Sequence, residues 1–201
     1  QQQTETVFQQ ADYTFKLDYT KPFLEKFTVE TGTQYVINDV GNDYEVRDFT
    51  DGNWVINENL TNNFEYNQKV LGLYTTAAYE GDIWGFKANL RVEKTDLKTF
   101  LTNTDQTNKQ DYLKWFPTLN LSHDLTEKTS VYLNYKRSVL RPSYQDLNPF
   151  RYFLNDNTIA TGNPNLQPAF IDKVVIGTSI NNIFTVEAYY NFTDAYFLEL
   201  P

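Results

Sequence analysis

The chain has 201 residues, a formal net charge of −9 and no cysteine. That length suits one domain; the acidic balance and the scatter of only 17 Lys and Arg exclude a nucleic-acid partner; and the missing thiols exclude disulfides and thiolate metal sites. Aromatic residues make up 16% of the chain, with 15 Tyr and 15 Phe, yet the mean hydropathy is −0.57, which points to alternation of aromatic and polar residues. No apolar run approaches the roughly 20 residues of a membrane helix, so any membrane crossing must be made as a barrel. There is no Met, and the opening QQQTETVFQQ has neither a basic n-region nor an apolar h-region. It reads as a processed or excised piece of something longer.

In chain order, Ala11, Tyr13, Phe15, Leu17 and Tyr19 alternate with Asp12, Thr14, Lys16, Asp18 and Thr20, the period-two pattern of a half-buried strand. A short turn over Lys21–Glu25 leads to a second strand with Phe27, Val29, Thr31, Thr33 and Tyr35 on one face. A long polar connection is expected from Asn38 to about Thr61, with a small hairpin around Asp51-Gly52. The third strand, about Asn62 to Tyr79, alternates weakly. Glu80-Gly81-Asp82 turns tightly into the fourth, where Trp84, Phe86, Ala88, Leu90 and Val92 oppose Gly85, Lys87, Asn89, Arg91 and Glu93.

A second polar connection, about Thr95 to Asp111, precedes the fifth strand, in which Pro117 predicts a bulge or an irregular start because it lacks a ladder donor. The short turn Asp124–Lys128 leads to the sixth strand, with Val131, Leu133 and Tyr135 against Asn134 and Lys136. A long loop over residues 139–168 follows. The seventh strand, about Phe170 to Ile180, turns at Asn181-Asn182 into the eighth, where Phe184, Val186, Ala188, Tyr190 and Phe192 oppose Thr185, Glu187, Tyr189 and Asn191.

Short and long connections alternate, as in transmembrane barrels with tight periplasmic turns and longer outer loops. The expected fold class is therefore all-β: an antiparallel transmembrane β-barrel, seen here as an arc of about eight strands from a larger barrel and forming a single partial domain over 1–201. Closure of eight strands alone is disfavoured, since the count puts both chain ends on the long-loop side and open edges in lipid cost several kcal/mol per unpaired group. Leu17, Phe86, Leu90, Leu133 and Val186 should point away from the barrel axis. The lumen-facing candidates are Lys16, Lys87, Arg91, Glu93, Asn134, Lys136 and Glu187, which could line a substrate route or simply satisfy one another in a wet interior.

The loop at 139–168 carries two specific words: Arg141-Pro142-Ser143-Tyr144-Gln145-Asp146-Leu147-Asn148-Pro149-Phe150, then Gly162-Asn163-Pro164-Asn165-Leu166-Gln167-Pro168. Each proline removes a donor and biases its predecessor toward extended backbone, so the segment cannot be helix interior or central strand. In that order and spacing the words resemble the signature loop of the outer-membrane β-barrel family related to TonB-dependent receptors of Bacteroidota. The resemblance runs from about Asn62 to the end.

It implies residence in the outer membrane of a Gram-negative, Bacteroidota-type bacterium, contact with outer-membrane lipid, and completion by the remaining barrel strands and a plug of the same protein. It also implies import of an external ligand, with a TonB-type energy transducer and a surface lipoprotein as partners, and neither an enzyme nor a cofactor. Within the loop, Arg141, Pro142, Tyr144, Gln145, Leu147, Asn148, Pro149, Phe150, Gly162, Asn163, Pro164, Leu166 and Pro168 are the candidate residues, bracing the mouth or facing a ligand. The loop is expected to be ordered and turned inward, with Tyr144, Leu147, Phe150, Tyr152, Phe153 and Leu154 packed and Arg141 and Arg151 paired.

Other readings are weaker. His123 lies in Ser122-His123-Asp124, but neighbours on a strand point to opposite faces, so an exposed turn residue is favoured over a triad. Asp39, Asp43, Asp48, Asp51 and Glu58 could attract calcium, but their spacing fits no EF-hand and a solvated loop is favoured. A structural barrel that scaffolds a surface complex without transport is the alternative function, and a secreted β-sandwich the alternative fold.

Overall fold

The computed structural model describes residues 1–23, 25–150, 152–155, 158–181, 183–194 and 197, with backbone alone over 152–155 and 158–160. Among them the chain builds one antiparallel sheet: β1 (Gln2–Phe23), β2 (Phe27–Thr50), β3 (Asn53–Ile56), β4 (Asn62–Glu80), β5 (Trp84–Leu101), β6 (Gln106–Thr126), β7 (Thr129–Leu140), β10 (Ala169–Ile180) and β11 (Phe184–Asp194). The strand order is β1-β2-β4-β5-β6-β7-β10-β11, with β3 folded back onto the end of β2. Between β7 and β10 lie the single-turn helix α1 (Tyr144–Leu147) and a small ribbon of β8 (Tyr152–Asn155) and β9 (Thr158–Ala160). The sheet is open, with β1 and β11 at its edges. No described helix is long and apolar enough to cross a membrane.

Both expected polar connections are largely strand. β2 continues past Asn38 to Thr50 and turns at Asp51-Gly52, where both residues have positive φ, into β3; only residues 57–61 remain a loop. Likewise β5 runs to Leu101, a single 3-10 turn at Thr102–Thr104 reverses the chain, and β6 starts at Gln106. The polar residues are rungs. Asn67 Nδ2 donates to Asp39 and Asn63 Nδ2 to Asp43 across the β2–β4 pair, and Lys94 reaches Asp111 across β5–β6. Such pairs stabilise a ladder as apolar ones do, by roughly 0.2–1 kcal/mol each.

Pro117 also departs from expectation. The β5–β6 register runs unbroken through Leu90↔Pro117, and the irregularity falls instead between Asp124 and Thr126. On its other side the proline has a larger effect: the β6–β7 ladder begins at Thr118↔Lys136 and does not extend beyond it, although β7 stays paired with β10 as far as Leu140↔Ala169. A proline offers no N–H to carry the ladder further. β6 and β7 therefore part above Pro117, and the long loop leaves the sheet there.

The register separates two faces. On one, β2 carries Phe27, Val29, Thr31, Thr33, Tyr35 and Ile37 and then changes to Asp39 and Asp43; β4 carries Tyr79, Ala77, Thr75, Leu73 and Leu71 and then Lys69 and Asn67; β5 runs from Trp84 to Val92 and then meets Lys94 and Asp96. The changes line up across the sheet, for Ile37 faces Lys69 and Leu71 faces Lys94. β10 and β11 extend the same belt with Val174, Ile176, Phe184, Val186, Tyr190 and Phe192, all exposed. In β4 and β5 the belt is about nine residues tall, the length a tilted strand needs to cross a bilayer. Trp84 stacks on His123 at 3.9 Å beside the short turns, in the position of an interfacial aromatic girdle.

Large side chains left bare over a whole face would each forfeit roughly 25 cal/mol per Å² in water. They call for lipid. The opposite face is polar at the same level and carries Lys16, Lys87, Arg91, Asn134 and Glu187.

The two faces make opposite demands. Leu17, 70% exposed in the belt of β1, should not tolerate Arg, because a basic residue at the bilayer midplane of a barrel costs roughly 2–4 kcal/mol. Thr14, on the polar face of the same strand, should tolerate it. Heat-modifiable gel mobility of the full-length protein should show reduced assembly for Leu17→Arg and parental assembly for Thr14→Arg.

Candidate functional site

The distinctive construction of the polar face is the loop at 141–168, which folds back onto it. α1 forms because Ser143, extended at φ −73° and ψ 172°, caps it: Ser143 Oγ accepts from Asp146 N–H at 3.2 Å, while Asp146 Oδ2 accepts from Ser143 N–H at 2.7 Å. Pro142 precedes this box, buried. Asn148 ends the turn with its N–H on Tyr144 O at 3.0 Å, and its side chain accepts from Phe150 N–H at 3.1 Å.

The second word of the loop is the partner of the first. Gly162 N–H donates to Asn148 O and Asn163 N–H to Asp146 O, both at 2.7 Å. A Cβ at Gly162 would sit 2.5 Å from the carbonyl oxygens of Gln145 and Asp146 and 2.7 Å from that of Asn148. Backbone cannot yield as a flexible side chain can, so this position requires glycine. Asn163 then turns the chain for Asn165 and Leu166 by accepting their N–H groups. Pro164 lies half-buried within this turn, and Pro168 is buried beside β10.

The paired words dock on the upper sheet through one apolar cluster. Leu147, fully buried, joins Val40, Phe64, Tyr66, Leu97 and Leu101 from β2, β4 and β5, with Tyr144 and Leu166 against its edge. Phe8 meets Tyr144 at 5.4 Å and Tyr44 meets Phe150 at 5.2 Å between ring centroids, geometries worth about 0.5–1.5 kcal/mol beyond area burial. Burial pushes the Tyr66 phenol up to about 12, so it stays protonated. Gln110 Nε2 donates to Leu166 O at 2.7 Å from β6. Gln145 is exposed and donates to the Tyr144 hydroxyl at 3.0 Å. Arg151 lies outside the described residues, as do the side chains of Tyr152, Phe153 and Leu154.

At the loop's root is a charged knot. Arg141 donates to Glu93 Oε2, to Tyr112 Oη at 3.2 Å and to Thr95 Oγ1 at 3.4 Å, while Arg91 Nε donates to Glu93 Oε1 at 2.6 Å. Glu93 is 7% exposed and both its oxygens are engaged. Removing one cation from such a buried carboxylate costs several kcal/mol. The gap left above Pro117 is filled by Phe170, with Phe116 at 6.3 Å, Tyr112 edge-on at 6.4 Å and the Lys114 ammonium 4.8 Å from its ring.

The remaining lumen candidates fall into separate groups. Lys16 pairs with Asp18 at 2.8 Å, and the Tyr74 hydroxyl donates to that Asp18 over Gly32, where a Cβ would fall 2.6 Å from Tyr74 Oη. The Arg91 guanidinium lies over Gly72 and 5.6 Å from the Tyr74 ring, linking this group to the Glu93 knot. Glu187 accepts from the Tyr132 hydroxyl at 2.5 Å across Gly177. Lys87, Asn134 and Lys136 share the polar face but stand apart from these groups. Asp18, Tyr74, Thr95, Tyr112 and the three glycines were not singled out from sequence, although a glycine on the polar face of an alternating strand, near a large polar side chain in a neighbouring one, is a readable signal.

The geometry thus offers a polar wall and a self-docked loop across its upper part. Among the described residues no three of His, Cys, Asp and Glu gather to hold a metal ion.

Deleting the Leu147 side chain beyond Cβ should cost roughly 2–5 kcal/mol of loop docking. Leu147→Ala and Gly162→Ala should both speed protease cleavage within 141–168 of the folded full-length protein while leaving its heat-modifiable mobility unchanged. Cleavage at the parental rate in both would mean that the loop is held by other contacts.

The sequence matches the outer membrane protein beta-barrel family over residues 1–199. No curated protein matches. Among solved structures, the chain superposes on a copper transporter, OprC, with TM-score 0.74 and 12% identity, over 96% of this chain and 31% of that one. It also superposes on the unliganded ferric citrate transporter FecA with TM-score 0.60 and 13% identity, over 94% of this chain and 28% of that one. The chain therefore spans about a third of the length of these structures.

Proposed function

The chain belongs to the outer membrane protein beta-barrel family, and from that premise we propose that it forms part of the wall and mouth of a TonB-dependent uptake barrel. The observation that carries this reading is the signature loop folded inward over a polar, charge-lined face: Leu147 is fully buried against the wall and Arg141 is tied to Glu93. A pore left permanently open needs no such cover, whereas an importer that admits a bound ligand needs a mouth that can be closed and shaped. Transport is the role, not catalysis. Further strands, a plug, a TonB-type transducer and a surface lipoprotein would complete the assembly, in the outer membrane of a Gram-negative, Bacteroidota-type cell.

A second reading is favoured by one observation. Beyond the membrane belt, the β2–β3 hairpin holds Phe49 and Trp54 edge to face at 5.2 Å, exposed together with Val55 and Ile56. Apolar tips of this kind suit protein contacts, and a barrel serving as a scaffold for a surface complex would use them.

The two readings separate in the native cell. Deleting the gene for the full-length protein should abolish growth on at least one sole nutrient in a panel of glycans, peptides and metal chelates. Disrupting the TonB transducer should reproduce that loss. Unchanged growth on every nutrient, with loss of co-purifying surface proteins on deletion, would replace uptake by scaffolding.

A further inference from the structure

On the polar face, Asn89, Thr118, Lys136, Lys173 and Asn191 lie in one continuous register line across β5, β6, β7, β10 and β11. Within it Lys136 and Lys173 face each other directly, an arrangement that destabilises a sheet unless something of opposite charge joins it. Neither lysine has a carboxylate within ion-pair distance among the described residues. The acidic groups nearby are committed elsewhere. Glu187 takes the Tyr132 hydroxyl at 2.5 Å, and Asp172, on the belt face, takes the Tyr135 hydroxyl at 2.7 Å. The Lys173 ammonium rests 5.5 Å from the centroid of the Tyr189 ring. One step toward the short turns, Lys87 adds a third exposed ammonium opposite Asn120.

We infer that Lys136 and Lys173 form a binding strip for an oxyanion, a carboxylate or phosphate group held inside the barrel. Two lysines paired across neighbouring strands on one face bring several N–H donors within reach of one bound group, and Thr118 and Asn191 flank them in the same row. An oxyanion, with its multiple acceptor oxygens, matches this set through charge-assisted hydrogen bonds. The strip is a local exception to the chain's net charge of −9. The anion has two sources: a free solute crossing the barrel, or an acidic side chain from a segment of the same protein that occupies the lumen.

Two measurements on the detergent-solubilised full-length protein decide between them. Inorganic phosphate is titrated calorimetrically into the parent and into the double variant Lys136→Gln, Lys173→Gln, and both proteins are treated with a zero-length carbodiimide cross-linker without phosphate. Phosphate binding that weakens about tenfold or more in the variant, and with added salt, supports the strip with a free solute as its source. No phosphate binding, with Lys136 or Lys173 recovered in an amide cross-link to a carboxylate of the same chain, supports it with an internal source. Phosphate binding unchanged in the variant overturns it, as does the absence of both binding and cross-link. The inference rests on reading this face as lumen wall, which the Leu17→Arg and Thr14→Arg pair tests separately. If that pair behaves as expected and both chemical readouts are negative, only the strip fails.

Discussion

Inside hydrocarbon every backbone N–H and C=O must find its partner within the protein, because each unpaired group costs several kcal/mol. That requirement makes the ladder continuous, and a continuous antiparallel ladder gives side chains a period of two, with one face for lipid and one for water. The rest of the structure follows from it. Registers such as Ile37↔Lys69 and Leu71↔Lys94 bring the ends of separate apolar runs level. A slip of one residue in any pair would turn a whole strand's Leu, Phe and Tyr into the lumen and its Lys and Asp into lipid. The β6–β7 ladder parts above Pro117, and there the mouth loop leaves the wall.

The alternation was legible in the membrane belt because lipid enforces it there. Leu17 and Lys16, Phe86 and Lys87, and Leu133 and Asn134 fall on opposite faces, as a period-two reading requires. Strand ends were not legible. Above the belt the outward face meets water while the inward face packs against the loop's apolar cluster, so the outward positions of β2 and β4 become Asp39, Asp43, Asn63 and Asn67, residues that usually mark loops. What keeps them in strand is invisible to a one-dimensional reading: each faces its partner in the neighbouring strand, and Asn amides bridge to Asp carboxylates. The hairpin at Asp51-Gly52 was readable for the opposite reason, since a tight reversal requires positive φ and that pair accepts it.

The loop divides in the same way. Its prolines and its Ser-x-x-Asp capping box are local, so a one-turn helix at Tyr144–Leu147 lies within reach of the sequence. Its fold is not, because the constraint acts between words about fifteen residues apart. Gly162 carries no sign that its missing Cβ is needed by the carbonyls of Gln145 and Asp146, and Leu147 carries no sign that Phe64 and Leu101 wait for it. Glu93 and Arg141 are likewise separated by two complete strand reversals.

The glycines connect these levels. Gly32, Gly72 and Gly177 all lie on the polar face, and each gives up its own side-chain volume to a neighbour: Tyr74 with Asp18, Arg91, and Tyr132 respectively. In mid-strand a glycine costs entropy and packs nothing. Here the vacancy lets long polar side chains lie flat against the wall and reach partners one strand farther away, Tyr74 to Asp18 and Tyr132 to Glu187. A wall built this way keeps its charged groups low and paired, leaving room above them. The residues outside the arrangement, Lys87, Lys136 and Lys173, then stand out physically as well as in the register, because among the described residues none of them has a carboxylate within ion-pair distance.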